Sequence, residues 1–367
     1  MTALCSGKIC TIFPEKGALN FWKACTIALE YSITWNGDEI DSMNKKELHD
    51  FIKEKQPNIC QISCYKDGKE VYSDEWNDYK KIDTCHVMSA TKSVVSLLVG
   101  IALDKGFIEN IDQPVLDFFP EYKIKRGEKT IQQVTIKHLL TMTAPYKYKY
   151  EPWTKICSSD DWTVSALDFL GGRKGLTGQF KYSTLGIHIL TGIISKTSGI
   201  KVVDFVNKYL FEPIGVEKHI NYLAKTAEEH KHFTISKEPK KNIWFCDPKG
   251  IGTAGYGLCL SATDMAKIGQ LCLDKGVHNG KQIVSSEWIE QMTKTNYKCG
   301  EEFRNMSYGY LWWIVDENKH IYSAIGNSGN VIYVNPSNNI VIAITSYFKP
   351  TIFDRIDFVQ KYIEPFI

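Results

Sequence analysis

Five serines in this chain stand three residues before a lysine: Ser42 before Lys45, Ser63 before Lys66, Ser89 before Lys92, Ser198 before Lys201 and Ser346 before Lys349. The spacing has chemical meaning on a helix, where residues i and i+3 share a face and an amine reaches a hydroxyl one turn away. A serine in the first turn also lies beside free backbone N–H groups and the positive end of the helix dipole, which favour the charge that develops on a carbonyl oxygen under attack. If burial lowers the proton affinity of the lysine, its neutral amine can take the serine proton and leave an activated nucleophile. The competing assignment for such a serine is a helix cap, which only accepts a backbone hydrogen bond.

Context separates the five. Ser89, in "HVMSATKSVV", opens a run from Ser89 to Leu103 that is apolar on nearly all sides and ends at Gly106, the pattern of a helix buried in the middle of a protein. Ser63 falls inside a predicted strand, Ser198 at a helix end before Gly199, Ser346 at the end of a strand, and Ser42 ahead of a polar, solvated helix. Two further stretches bear on the choice. "GQFKYSTLGIHILTGIISKTSG" places Tyr182 at the mouth of a second apolar helix, and "YSAIGNSGNVIYV" places a glycine-rich kink between two strands. Taken singly, Tyr182 reads as a core tyrosine and the kink as a turn in which Gly and Asn supply positive φ.

Together with Ser89 and Lys92, these stretches resemble the three motifs of the serine β-lactamase and penicillin-binding protein superfamily: Ser-x-x-Lys, Tyr-x-Asn, and Lys/His-x-Gly on a strand. Their order and spacing are similar to the branch holding class C β-lactamases, D-alanyl-D-alanine carboxypeptidases, related esterases and 6-aminohexanoate-dimer hydrolase. The resemblance runs from about Asn58 onward and includes "TIKHLLTM", "GLCLSATDMAKIGQL", "SYGYLWWI" and the closing "NIVIAITSYF". It implies that Ser89 is the nucleophile, Lys92 its proton acceptor and Tyr182 the group that passes a proton to the leaving atom. Asn327-Ser328-Gly329 falls at the third motif, and the N–H of Asn330 would join that of Ser89 in holding the oxyanion. Two residues depart from the pattern. Thr184 replaces the asparagine of Tyr-x-Asn, and Asn327 stands where β-lactamases and carboxypeptidases carry a lysine for the substrate carboxylate.

The elements that must position these groups are legible in outline. "NICQISCYKDGKEVYSDEW" reads as a hairpin turning at Asp67-Gly68. Helical periods cover Ile136 to Met142, Leu185 to Lys196, Val202 to Leu210 and Asp264 to Leu273. Beyond them, four β-rich runs separated by turns at Asp316 to Lys319, Gly326 to Asn330 and Pro336 to Asn339 predict an antiparallel meander, covered by an amphipathic segment from Phe353 to Tyr362. The resemblance implies an α/β (α+β), β-lactamase/transpeptidase-like fold: an antiparallel sheet flanked by helices, with an inserted mainly helical region. The expected division is residues 56–115 and 277–367 for the sheet domain, 116–276 for the insertion, and 1–55 as an N-terminal extension of unknown role.

The remaining features point to ordinary structure. The 367 residues carry 44 Lys and Arg against 42 Asp and Glu, so no nucleic-acid footprint is expected, and Lys147 and Lys149 read as solvated surface. Eleven irregularly spaced cysteines fit buried thiols in a reducing compartment. The segment from Ala18 to Ile33 is broken by Lys23 and Glu30, which argues against a signal peptide or membrane span and toward the cytoplasm. Glu229-His230-Lys231-His232 has no third ligand at useful spacing and reads as a loop, while His86 and His188 read as structural. Trp312 and Trp313 read as sheet packing, the alternative being that one faces the cleft, and Asp161-Trp162 as a helix start, the alternative implied by the resemblance being a pocket residue. No metal or organic cofactor is expected. The expected activity is a serine hydrolase that opens amide or ester bonds of a small-molecule or peptide-like substrate through an acyl-enzyme on Ser89. The alternatives are a β-lactamase or D-Ala-D-Ala carboxypeptidase, and an inactive β-lactamase-like binding protein.

Overall fold

The computed structural model describes residues 43–367. Ser42 and most of the expected N-terminal extension lie outside the described residues. Helix α1 (Lys45–Lys55) is capped by Asn44 and leads into β1 (Ile59–Lys66) and β2 (Lys69–Glu75). These strands form the expected hairpin, with Asp67 and Gly68 at φ of 51° and 73°, the positive values a two-residue turn requires.

The chain returns to this sheet only near its end. Strands β3 (Tyr297–Lys298), β4 (Ser307–Tyr308), β5 (Trp313–Asp316), β6 (Ile321–Gly326), β7 (Asn330–Asn335) and β8 (Ile340–Ser346) complete an eight-stranded antiparallel sheet in the order β2-β1-β8-β7-β6-β5-β4-β3. The closing strand β8 inserts between β1 and β7, with Ile344 opposite both Ile62 and Val331. Every residue of β6, β7 and β8 is buried. Their sequences are accordingly mostly apolar rather than alternating, as expected of strands covered on both faces, with polar Ser323, Asn330, Asn335, Thr345 and Ser346 buried among them.

Helices occupy the middle of the chain. The helix expected from Ser89 is a 3₁₀ turn over Met88–Ala90 followed by α2 (Thr91–Asp104), in which every residue from Thr91 to Ala102 is buried. It touches β6 on one side and α4 (His188–Ser198) on the other, so it joins the sheet to the helical region. Helix α3 (Trp162–Phe169) starts at Asp161, whose carboxylate accepts the Val164 N–H at 2.9 Å, the expected helix-start role. Helix α6 (Ala262–Leu273) lies across β1, β7 and β8, and residues 356–363 form the expected terminal helical segment.

Three local expectations differ. Helix α4 begins at His188, so Tyr182 sits six residues ahead of it in irregular chain rather than at its mouth. The helix from Val202 passes into a π-helical turn over Asn207–Phe211. The Glu229 to His232 stretch lies in helix α5 (Ala227–Ile235), not in a loop: Thr226 caps it by accepting the Glu229 N–H at 3.1 Å, and His230 Nε2 lies 3.1 Å from the Tyr256 hydroxyl. Of the eight described cysteines, all but Cys157 are buried. No helix among the described residues is long and apolar enough to cross a membrane.

Candidate active site

Ser89 is not a cap. Neither the 3₁₀ turn nor α2 has a side-chain cap hydrogen bond, and the residue before Ser89, Met88, takes a φ of 51°, a left-handed conformation unusual for a side chain of its kind. That kink is held by Thr91, whose hydroxyl donates to the Met88 carbonyl at 2.7 Å. Ser89 is half-buried, whereas Lys92, one turn into the helix, is only 1% exposed.

The Lys92 amine donates to Ser89 Oγ at 2.8 Å, to the Gly255 carbonyl at 2.8 Å and to Thr184 Oγ1 at 3.3 Å. Among the described residues no acidic side chain contacts it. Burial therefore lowers its pKa from 10.5 to about 7, against the opposing pull of the Glu151 charge. The Gly255 carbonyl reaches this position because its segment is laced to the Ser89 turn. Gly257 N–H donates to His86 Nε2 at 2.9 Å, and Val87 N–H to the Leu258 carbonyl at 3.0 Å. A side chain at position 255 would place its Cβ 2.3 Å from the Thr184 carbonyl oxygen, so only glycine permits the approach.

Tyr182 closes the group. Its phenol is hydrogen-bonded to Ser89; burial raises its pKa above the usual phenol range, and the bond to Ser89 partly offsets that rise. Lys92 Nζ lies 4.7 Å from the centre of the Tyr182 ring, and Trp313 stacks against the ring at 6.0 Å with 22° between the planes. Trp312 and Trp313 are both buried; Trp313 opens β5 and is the one that meets the site, through this ring contact. The turn carrying Tyr182 is held by Glu151, to which no motif points. One of its carboxylate oxygens accepts from Thr184 N–H at 2.5 Å, from Leu185 N–H at 2.9 Å and from the Ser183 hydroxyl at 2.9 Å.

The third stretch ends β6 against the same turn. A Cβ on Gly326 would stand 2.1 Å from the Val87 carbonyl oxygen and 3.1 Å from Ala90 N. Of the four residues that follow, only Asn327 reaches solvent. Its N–H makes no hydrogen bond among the described residues, and its Oδ1 accepts the Ser328 N–H at 2.6 Å. Ser328 and Asn330 are fully buried. The Asn330 side chain donates to the Asn327 carbonyl at 2.9 Å and accepts the Ser346 N–H at 2.9 Å. The Ser328 and Gly329 carbonyls accept from the buried Arg355, at 3.2 and 3.3 Å.

The structure thus brings Ser89, Lys92, Tyr182 and Thr184 together and sets Asn327 at the adjoining strand end, while Ser328, Gly329 and Asn330 build the hairpin behind it. Among the described residues, the three other serines of this spacing make no comparable pair. Ser63 donates to Glu70 at 3.1 Å, Ser198 to the Ile194 carbonyl at 2.6 Å, Ser346 accepts from Arg355 at 2.8 Å, and Ser42 lies outside the described residues. His86 accepts a backbone N–H and is held neutral by burial, which lowers its pKa to about 3. His188 lies 3.3 Å from the buried carboxylate of Asp247.

The β-lactamase family model matches residues 61–357. The chain is 24% identical over 307 residues to the 6-aminohexanoate-dimer hydrolase of Paenarthrobacter ureafaciens, covering 77% of this chain and 71% of that one. Among solved structures it is similar in fold to a penicillin-binding protein homologue from Caulobacter crescentus, with a TM-score of 0.66 at 14% identity over 97% of this chain and 98% of the other. A class C β-lactamase from Rhodobacter sphaeroides gives a TM-score of 0.61 at 15% identity over 87% and 97%.

Proposed function

The chain belongs to the β-lactamase family, and from that premise we propose that it is a serine hydrolase that cleaves amide or ester bonds through an acyl-enzyme on Ser89. The observation that carries this reading is the 2.8 Å contact between Ser89 Oγ and a buried lysine amine whose pKa is lowered to about 7. A neutral lysine at this distance accepts the serine proton as Oγ bonds to the carbonyl carbon and the carbonyl π pair moves onto oxygen.

The resulting oxyanion needs donors. The N–H of Ser89 is one. We place the second at Asn327 rather than Asn330, because Asn327 is the solvent-facing residue at the β6 end that abuts the Ser89 turn, and its N–H is unengaged among the described residues. Each such donor contributes about 3 kcal/mol to the tetrahedral state. When the intermediate collapses, the pair on oxygen reforms the carbonyl, the bond to the leaving nitrogen or oxygen breaks, and Tyr182 supplies the proton that the departing atom takes up and is reprotonated with the proton Lys92 took from Ser89. Water then gives a proton to neutral Lys92 as its oxygen bonds to the acyl carbon, the bond from that carbon to Oγ breaks, and Lys92 returns the proton to Ser89 Oγ.

Neutral Asn327 and the short Thr184 favour simple amides or esters over β-lactams and cell-wall peptides, since neither offers a cation to a substrate carboxylate. The intact Ser89–Lys92–Tyr182 group favours an enzyme over a binding protein. A screen of p-nitrophenyl esters, short linear amides and a chromogenic cephalosporin, with Ser89→Ala alongside, tests the proposal. Turnover that vanishes in Ser89→Ala supports it, and equal rates in the two proteins overturn it.

A further inference from the structure

Glu151 belongs to no motif, yet its carboxylate touches the backbone on both sides of the Thr184 peptide. Thr184 donates its N–H to Glu151 at 2.5 Å and accepts from Lys92 through its hydroxyl at 3.3 Å, so a single residue separates the carboxylate from the amine. We infer that Glu151 is a positioning residue: one of its oxygens fixes the turn that carries Tyr182 and Thr184, and its negative charge faces Lys92 across Thr184.

All three bonds to the turn fall on the same oxygen, Oε1. Ser183 is further held by the Tyr148 hydroxyl at 2.7 Å and by the Gly186 N–H at 2.9 Å. The carboxylate therefore acts as the acceptor for backbone groups that have no helix to pair with, since α4 starts only at His188. Burial raises the pKa of Glu151, while the Leu185 and Thr184 N–H groups, the Ser183 hydroxyl and the Lys92 charge favour its ionised form. For Lys92, burial favours the neutral amine and Glu151 is the charged group that opposes it. The other titratable neighbours of Glu151 are the phenols of Tyr146, Tyr148, Tyr182 and Tyr256, all pushed upward and thus neutral, and Lys181, which donates to the Tyr146 and Tyr148 carbonyls. Glu151 thereby has two separable effects: a scaffold that needs only an oxygen acceptor, and a charge that makes Lys92 harder to deprotonate.

The inference rests on the proposed role of Ser89 and Lys92, and the substitution Glu151→Gln divides the two effects. Glutamine keeps an Oε1 acceptor for the turn and removes the charge. Nζ resonances of ¹⁵N-lysine-labelled protein, with Lys92 assigned by its absence in Lys92→Met, follow the titration of that amine without any need for activity. The expected result is a fall of about one pH unit in the Lys92 titration in Glu151→Gln. The acid limb of p-nitrophenyl acetate hydrolysis should move down by the same amount, with the plateau rate little changed. Glu151→Ala, which removes the acceptor as well, should lower the plateau about tenfold or more. A Lys92 titration unmoved in Glu151→Gln, or a Glu151→Ala plateau equal to that of the unmodified protein, overturns the inference. Loss of the Ser89 assignment would show separately, as hydrolysis that persists in Ser89→Ala.

Discussion

The Lys92 amine lies 2.8 Å from the Ser89 hydroxyl oxygen, and no carboxylate among the described residues contacts it. In α2 this amine is nearly inaccessible to water, so its neutral form is favoured. The same burial that makes it a base should make it a liability to the fold. Between its folded pKa, about 7, and its unfolded value, 10.5, the unfolded chain binds a proton that the folded chain does not. Stability linked to Lys92 is therefore lost as pH falls through that window.

Hydrolysis should rise with pH through an apparent pKa near 7, and Lys92→Met should abolish it while raising stability at pH 7 by about 1–3 kcal/mol. Urea melts of both proteins at pH 7 measure the difference. A Lys92→Met protein less stable than the unmodified chain would mean that the three hydrogen bonds of the amine outweigh its desolvation.

Tyr182 should matter in proportion to the leaving group. A p-nitrophenolate departs without a proton, whereas an amine cannot. Tyr182→Phe should thus lower kcat on short amides by at least about tenfold more than on p-nitrophenyl esters of the same acyl group. Equal losses on both would assign Tyr182 to the attack step instead.

Gly326 should be irreplaceable for reasons of space. Alanine there would press on the Val87 carbonyl and the Ala90 amide, on either side of Ser89. The substitution should reduce kcat by about a hundredfold, with a smaller proportional effect on the melting temperature than on activity. Full activity in Gly326→Ala would show that the strand end does not shape the site.

Asn327 should decide the response to anionic substrates. Asn327→Lys adds a cation at a half-exposed position, so acylation by a cephalosporin should improve about tenfold in kcat/KM while neutral esters change little. Parallel assays on one preparation compare the two classes. A gain shared equally by neutral esters would point to a change in the hairpin rather than to charge recognition.

Much of this site could be read from the chain alone, and the exceptions share a cause. The helix that holds Ser89 and Lys92 is written as a run apolar on nearly all sides, and the β1–β2 hairpin as Asp67-Gly68 between strands, because regular elements leave a period in the sequence. Glu151 and the Gly255 carbonyl arrive from irregular loops that carry no period, and a backbone carbonyl has no residue type to betray it. The resemblance points to the Asn330 N–H for the oxyanion and our proposal uses that of Asn327 instead, because a motif on a tight hairpin does not tell which of its residues turns toward solvent. Helix α5 did have a signal: Thr226 three residues before Glu229 is a capping pair, outweighed by the polarity of the residues that follow.

The central claim is that Ser89 is the nucleophile. Treatment with a fluorophosphonate followed by peptide mapping tests it most directly, because the reagent bonds covalently to an activated serine oxygen. The account predicts a single modified residue, Ser89, with labelling that accelerates as pH rises through about 7 and disappears in Lys92→Met. Modification at Ser63, Ser198 or Ser346 instead, or no modification at all, would contradict it.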